Sequence, residues 1–251
     1  MSESVKKIVI GTAQFGLDYG ISNTSGIVGN DQSRKILELA RKNGISKIDT
    51  AASYGESEKV LGNYCNIKDY SIITKVPKLK AGQNTASIIN TIKNSLKKLK
   101  IDKLYGTMLH DERDLTHGSM ALETLSEARS IGLTDKIGAS FYNAKALENA
   151  LINFDLDIVQ IPLSIFDQSF LKNDCLNKAI KNGVEIHCRS IFLQGLVFMS
   201  PKVVPEYFSP VQKKIDLFHQ ICNDFRIDPI ELCLNFITSL SFIDGYVIGT
   251  Q

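Results

Sequence analysis

Eight short apolar, β-branched runs alternate with helical segments along the chain, and that alternation restricts the fold more than any other feature. The runs are "KIVIG" (7–11), "SKIDT" (46–50), "SIITK" (71–75), "YGTMLH" (105–110), "KIGAS" (136–140), "DIVQI" (157–161), "VEIHC" (184–188) and "GYVIG" (245–249). Helical periodicity fills the gaps at 31–43, 56–65, 85–99, 119–131, 143–153, 172–182, 211–225 and 229–240. In the first of these, Ile36, Leu37 and Ala40 share a face, Asp31 can cap the start and Gly44 can end it. Gly132 and Gly183 repeat that stop before the next strand. Strands alternating with helices imply right-handed βαβ units and a parallel sheet. Eight units favour a closed α/β architecture, the (β/α)8 or TIM barrel, over an open doubly wound sheet. The open sheet would carry a G-x-G-x-x-G turn after its first strand, and here that position reads "GTAQFG". A length of 251 residues suits one such barrel over 1–251.

Charge and cysteine content narrow the classes of function. A formal net charge of +2 makes no electrostatic case for nucleic acid or a membrane surface. The densest basic stretch, "KNSLKKLK" (93–100), carries Leu96 and Leu99 at helical spacing and reads as the solvated side of a helix. Five cysteines without a C-x-x-C pair indicate reduced thiols and a cytoplasmic protein. No run of 18 apolar residues suggests a membrane span, and no signal segment is apparent.

Four polar residues stand at or just beyond the C-terminal ends of successive strands: Asp49, Tyr54, Lys75 and His110. In a barrel those ends converge on one mouth, where active sites lie. A buried Asp49 needs a cationic partner, and Lys75 on the neighbouring strand can supply it. An ammonium near a phenol favours the phenolate, so Tyr54 is expected to titrate below the ordinary value of about 10. Such a tyrosine can pass a proton to a carbonyl oxygen, which His110 can orient by a hydrogen bond. Each residue alone has a plainer reading, as a cap, a turn, a strand end or a satisfied histidine. Their joint placement is what points to chemistry. Two long loops, 12–30 and 189–210, follow strands and would lie at the same mouth.

The stretch "GISKIDTAASYGESEKVLG" (44–62) resembles the signature of the aldo-keto reductase superfamily. "IITKVP", "MLHD", "KIGAS", "IVQIPLSIFDQ" and "RSIFLQGLV" follow in the family's order, so the resemblance covers residue 7 to the end. It implies hydride transfer between NADPH and a carbonyl or alcohol without a metal. By that resemblance Tyr54 is the general acid, Lys75 and Asp49 tune it, and His110 orients the substrate oxygen. Ser140 and Gln160 would hold the nicotinamide carboxamide, with Thr12 beneath the ring. Arg189 stands where the family usually has a stacking tyrosine; a guanidinium can stack, but its charge disfavours the oxidised ring. Ser190, Phe192, Gln194 and Gly195 match the pyrophosphate loop, and Gly249 and Thr250 begin the phosphate loop.

The sequence given ends at "DGYVIGTQ" (244–251), where the family pattern continues with a basic loop and a last helix. The expectation is therefore a barrel without that helix, and NADP and NAD remain alternatives. With no tryptophan in the chain, Phe15, Tyr19, Phe141, Tyr142 and Phe166 are the expected aromatic wall, Phe15 and Tyr19 reaching the substrate. The opening "GTAQFGLDYGISNTSG" resembles bacterial reductase-like proteins associated with surface sugars, which tilts the substrate toward a sugar carbonyl. The leading reading is an NAD(P)H-dependent carbonyl reductase. The alternative is a non-catalytic or regulatory binding subunit on the same barrel, and either is compatible with an oligomer. A Schiff-base lyase using Lys75 is disfavoured, because Asp49 would hold the lysine charged.

Overall fold

The computed structural model describes residues 3–80, 82–115 and 120–250. Eight parallel strands close on themselves in chain order: β1 Ile8–Gly11, β2 Lys47–Asp49, β3 Ser71–Val76, β4 Leu104–Leu109, β5 Thr134–Ser140, β6 Ile158–Pro162, β7 Glu185–Arg189 and β8 Gly245–Gly249. The closure is β1 against β8, with Val9 opposite Val247. Nine helices accompany them among the described residues: α1 Glu3–Lys6, α2 Asn30–Lys42, α3 Ser57–Gly62, α4 Thr85–Leu99, α5 Met120–Ser130, α6 Ala144–Asn153, α7 Cys175–Lys181, α8 Gln212–Phe225 and α9 Pro229–Thr238. This is the (β/α)8 barrel that the alternation implied.

Local chemistry explains most boundaries. At α4 the Asn84 side chain accepts from the Ser87 amide while the Ser87 hydroxyl accepts from the Asn84 amide, and Lys100 ends the helix in the left-handed region. Its Ile88, Ile92, Leu96 and Leu99 are buried and Lys93, Lys97 and Lys98 are exposed, as the spacing predicted. At α2 the expectation is corrected. Gly29 holds the cap position in extended backbone, so the helix begins at Asn30 and Asp31 lies in its first turn. The four-residue α1 is too short to show a period and was not foreseen. The seventh strand is shifted by one residue, which brings Arg189 into the sheet opposite Pro162. The loop after it contains three 3-10 segments, Leu193–Phe198, Pro201–Val203 and Glu206–Val211.

Two hydrophobic regions result. Ile48, Ile72, Val159 and Ile186 point outward and join Leu37, Ile92, Leu125 and Leu147 of the helices in one continuous core. Each such fully buried side chain contributes roughly 1.5–3 kcal/mol. Ile73, Met108 and Ile158, with Tyr105, form a second and smaller cluster inside the barrel.

The inner column is polar at both ends. At the N-terminal end Glu185 of β7 meets Lys47 of β2 at 2.5 Å, Tyr105 Oη of β4 at 2.6 Å and Lys136 of β5. None of those strands neighbours β7, so the contacts cross the lumen. His187 Nε2 lies 2.6 Å from the same carboxylate. Burial alone would push the Glu185 carboxyl up, but bonds from His187, Lys136 and Lys47 outweigh it and hold the group well below the usual range. A lowered carboxyl stabilises the fold above its unfolded value of about 4.3 and loses that contribution as pH falls below it. Glu185→Gln leaves two lysines facing one another without their counter-ion. The expected cost is about 3 kcal/mol in urea denaturation at pH 7, and the difference from wild type should shrink as pH falls from 5 to 3. Equal stabilities at pH 7 would remove the cluster's structural role.

Candidate active site

The C-terminal end of the inner column is built on a second lumen-crossing cluster. Lys75 Nζ of β3 donates to both Asp49 carboxylate oxygens, at 2.6 and 2.7 Å, and to the Thr50 carbonyl at 3.0 Å. Gln160 Nε2 of β6 donates to Asp49 Oδ2 at 2.8 Å. The pair is 2% and 1% exposed, so each charge depends on the other. All three ammonium hydrogens are engaged; burial pulls the lysine below its ordinary pKa, and Asp49 offsets only part of that shift.

Tyr54 and His110 stand above the pair. Lys75 Nζ is 5.5 Å from the centre of the Tyr54 ring, and the His110 ring meets Tyr54 edge-on at 5.6 Å. Here the sequence expectation is corrected. Burial pushes the Tyr54 phenol up from its ordinary value, Asp49 adds to the rise, and Arg189 opposes it. The Lys75 ammonium, bonded to Asp49, does not offset this rise. His110 is pushed down to about 4 by burial and by Lys75, and is neutral at pH 7. Its Nδ1 lies 3.0 Å from Ser53 Oγ. In the tautomer where Ser53 donates to Nδ1, the ring proton sits on Nε2, free to donate elsewhere.

Three short connections fix the turn that carries Tyr54. Ser57 Oγ donates to the Thr12 carbonyl at 2.9 Å and lies 3.1 Å from Thr50 Oγ1, while Thr12 Oγ1 donates to the Asp49 carbonyl. These buried hydroxyls tie the ends of β1 and β2 to the start of α3. Gly55 then turns with φ +53°, and a Cβ there would lie 2.3 Å from the Gly16 carbonyl oxygen. Two loop backbones cross at this point, so both positions need glycine.

A cavity of about 450 Å³ opens over these groups, within the range of small-molecule sites. Thr12, Asp49, Tyr54, His110, Ser140, Gln160, Arg189, Ser190, Phe192, Gln194, Gly195 and Gly249 line it, as does Tyr19. Thr250 follows Gly249 outside this lining, and its buried Oγ1 has no partner among the described residues. Ser140 does not cap the next helix; Asn143 does, accepting from the Lys145 and Ala146 amides. The expected aromatic wall is largely corrected. Phe15 and Phe141 are 1% and 0% exposed and belong to the outer core, and Phe166 packs on Phe218. Only Tyr19 and Tyr142 of that set line the cavity. Ser53, Gln14, Ser22 and Phe198 were missed. Ser53 adjoins Tyr54 in sequence, and that adjacency was the available signal.

The lining fits a nicotinamide dinucleotide. Gln160 and Ser140 offer side-chain groups 1–2% exposed beside Tyr54. Ser190, Leu193, Gln194 and Gly195 have positive φ, the last three in succession, and left-handed turns of this kind can form anion-binding concavities. A Cβ at Gly195 would lie 1.7 Å from Ser22 Oγ, so the first long loop already rests on that run.

The crossing of Gly16 and Gly55 is testable against Gly26, which has φ +73° but open space around it. Gly26→Ala should cost about 1 kcal/mol, the left-handed penalty alone. Gly55→Ala should cost about 2–4 kcal/mol by urea denaturation, since overpacking adds roughly 1–3 kcal/mol to the same left-handed penalty. Equal costs would show that the close approach is unimportant.

Comparison with known proteins agrees with the barrel fold. The model of the aldo/keto reductase family matches residues 7–251. The chain is 30% identical over 226 residues to the NADH-specific methylglyoxal reductase of Escherichia coli (strain K12), covering 77% of this chain and 69% of that protein. It is 26% identical over 230 residues to a D-threo-aldose 1-dehydrogenase of a Pseudomonas species, covering 76% and 69%. Among solved structures, the holo form of an aldo-keto reductase from Bacillus halodurans superposes with a TM-score of 0.77 at 19% identity, covering 97% of this chain and 82% of that one. The chain belongs to the aldo/keto reductase family.

Proposed function

We propose that the protein is an NAD(P)H-dependent oxidoreductase that reduces the carbonyl of a small aldehyde, ketone or sugar. The observation that carries this reading is the stack at the mouth: a buried, mutually neutralised Asp49–Lys75 pair beneath a protonated Tyr54 with a neutral His110 edge-on to it. The resident cofactor, when bound, supplies a hydride to the carbonyl carbon. The chain's own residues handle the oxygen. Tyr54 gives its phenolic proton to it, and His110 donates a hydrogen bond that orients it. Thus the carbon gains two electrons, the oxygen gains the proton, and the phenolate left on Tyr54 is reprotonated from solvent. Ser140, Gln160 and Thr12 would hold the nicotinamide end. Ser190, Phe192, Gln194, Gly195, Gly249 and Thr250 would hold the phosphates.

Burial raises the Tyr54 phenol, so at neutral pH the residue holds its proton. A tyrosine that keeps its proton at neutral pH is ready to act as an acid, and must first be deprotonated to act as a base. Relatives named for methylglyoxal reduction and aldose dehydrogenation support both the carbonyl class and the sugar option. A Schiff-base role for Lys75 is opposed by its burial and by its three occupied donor positions. The same features give a binding-only barrel no advantage over a catalytic one.

Tyr54→Phe should lower NADH- or NADPH-dependent reduction of methylglyoxal by 10²–10⁴-fold, the usual worth of a positioned acid, while cofactor binding by calorimetry is retained. Turnover that survives the substitution would overturn the assignment. The pH profile should follow the two shifts. Reduction should be flat from pH 6 to 8, because His110 loses its neutral form only near its value of about 4 and Tyr54 is protonated throughout. Oxidation of the matching alcohol should climb with pH over the same range. A reduction rate that falls between pH 6 and 8 would place the acid's pKa within that window and contradict the buried phenol.

A further inference from the structure

Arg189 is a cation that the chemistry at Tyr54 does not use. It ends β7, lines the cavity and has no carboxylate partner among the described residues. Asp49 is the single carboxylate of the cavity lining, and it is spent on Lys75. The guanidinium is instead held by neutral groups. Its carbon lies 4.0 Å over the Tyr142 ring, Nε donates to Ser140 Oγ at 3.3 Å, and Nη1 donates to Ser190 Oγ at 3.3 Å. Its remaining contact is Nη2 to the Phe141 carbonyl at 3.5 Å. Half-buried and stacked, it holds an uncompensated positive charge beside Ser140. Its field reaches Tyr54, Lys75 and His110, in each case favouring loss of a proton.

Ser140 pairs with Gln160 in the sheet, and these are the residues read above as the carboxamide clamp. A nicotinamide held there has its ring next to Arg189 and Tyr54. The reduced ring is neutral and the oxidised ring carries a positive charge, while the phosphates and riboses of the two forms are the same. We infer that Arg189 sets the redox-state specificity of the site, favouring the reduced cofactor over the oxidised one by repulsion of the charged ring. The inference rests on the nicotinamide reading of the cavity. It concerns binding rather than proton transfer. In this site the oxidised product is expelled by a fixed cation, so reduction and product release run in the same sense. Two positive charges in a partly desolvated site repel strongly enough to separate the two affinities by about tenfold.

Calorimetric titration of the whole chain with NADH and NAD+, and with NADPH and NADP+, measures the ratio of dissociation constants directly, without turnover. Wild type should bind the reduced form at least tenfold tighter. Arg189→Gln should lower that ratio about five- to tenfold, mainly by tightening the oxidised form, and Arg189→Lys should keep most of the bias. Circular dichroism confirms that the variants are folded, and Arg189→Met serves as the second charge-removing variant if the glutamine variant is not. A ratio unchanged in Arg189→Gln, or an Arg189→Lys ratio equal to that of Arg189→Gln, would overturn the role of the charge. Failure of wild type to bind either form would overturn the nicotinamide reading itself, a separate result.

Discussion

The Asp49–Lys75 ion pair is the interaction on which the candidate site depends. Two opposite charges inside a barrel are costly singly and tolerable only together with their hydrogen bonds complete. Here they are complete: the carboxylate accepts from Lys75 and Gln160, and the ammonium's third hydrogen goes to the Thr50 carbonyl. Satisfying the pair draws together β2, β3 and β6, and so fixes the floor on which Tyr54 and His110 stand. Burial, reinforced by the Asp49 charge, keeps the proton on Tyr54, and burial with Lys75 nearby keeps His110 neutral. The groups read as acid and orienting donor are therefore both in the form that reading requires near neutral pH, and burial is the shared reason.

A barrel of this kind has an inside narrower than its helical jacket, and the sequence records this as alternation. "Lys-Ile-Asp" at 47–49 places two charges inward and one isoleucine outward. "Glu-Ile-His-Cys-Arg" at 185–189 places three titratable groups inward while Ile186 and Cys188 join the jacket. Strand identity, order and parallel pairing were legible because the outward faces carry β-branched residues at regular spacing. The upper pair was legible too, since an acid and a lysine at adjacent strand ends want each other. The lower cluster was not. Glu185, Lys47, Lys136 and Tyr105 lie on strands far apart in sequence, and only the closed lumen makes them neighbours.

What sequence reasoning misjudged has one cause. Side chains on strand ends are placed by pairing register, whereas those in loops depend on how the loop folds back. Asp49, Lys75, Ser140 and Gln160 are register residues, and the structure brings them together at the mouth. Phe15, Phe141 and Phe166 are loop residues, and their large apolar surfaces gained more by joining the outer core than by lining a polar mouth. Tyr19 and Tyr142 stay at the cavity because each carries a hydroxyl and, for Tyr142, because the Arg189 guanidinium covers one face. The Tyr54 phenol was misjudged for a related reason. Proximity to a lysine was visible in the sequence, but the commitment of all its hydrogens was not.

Rigidity is distributed accordingly. The groups read as performing proton chemistry stand on strands or on the turn pinned by Thr12, Ser57 and the Gly16–Gly55 crossing. Of the groups read as cradling phosphates, Gln194 and Gly195 lie on a left-handed run that starts at Leu193, and the Gln194 carbonyl accepts from the amides of Ile21 and Ser22 in the first long loop. A reacting centre needs its atoms held to fractions of an ångström, so it is built where backbone pairing is densest. The dinucleotide proposed for this cavity would have to enter and leave, and the outer contacts read for it lie on loops, two of them joined by a pair of amide hydrogen bonds and one serine-to-glycine approach. Arg189 sits at the boundary between these regions, its backbone in β7 and its side chain among residues of the two neighbouring loops. A cation fixed there acts on whatever ring the loops admit while remaining as immobile as the strand that carries it.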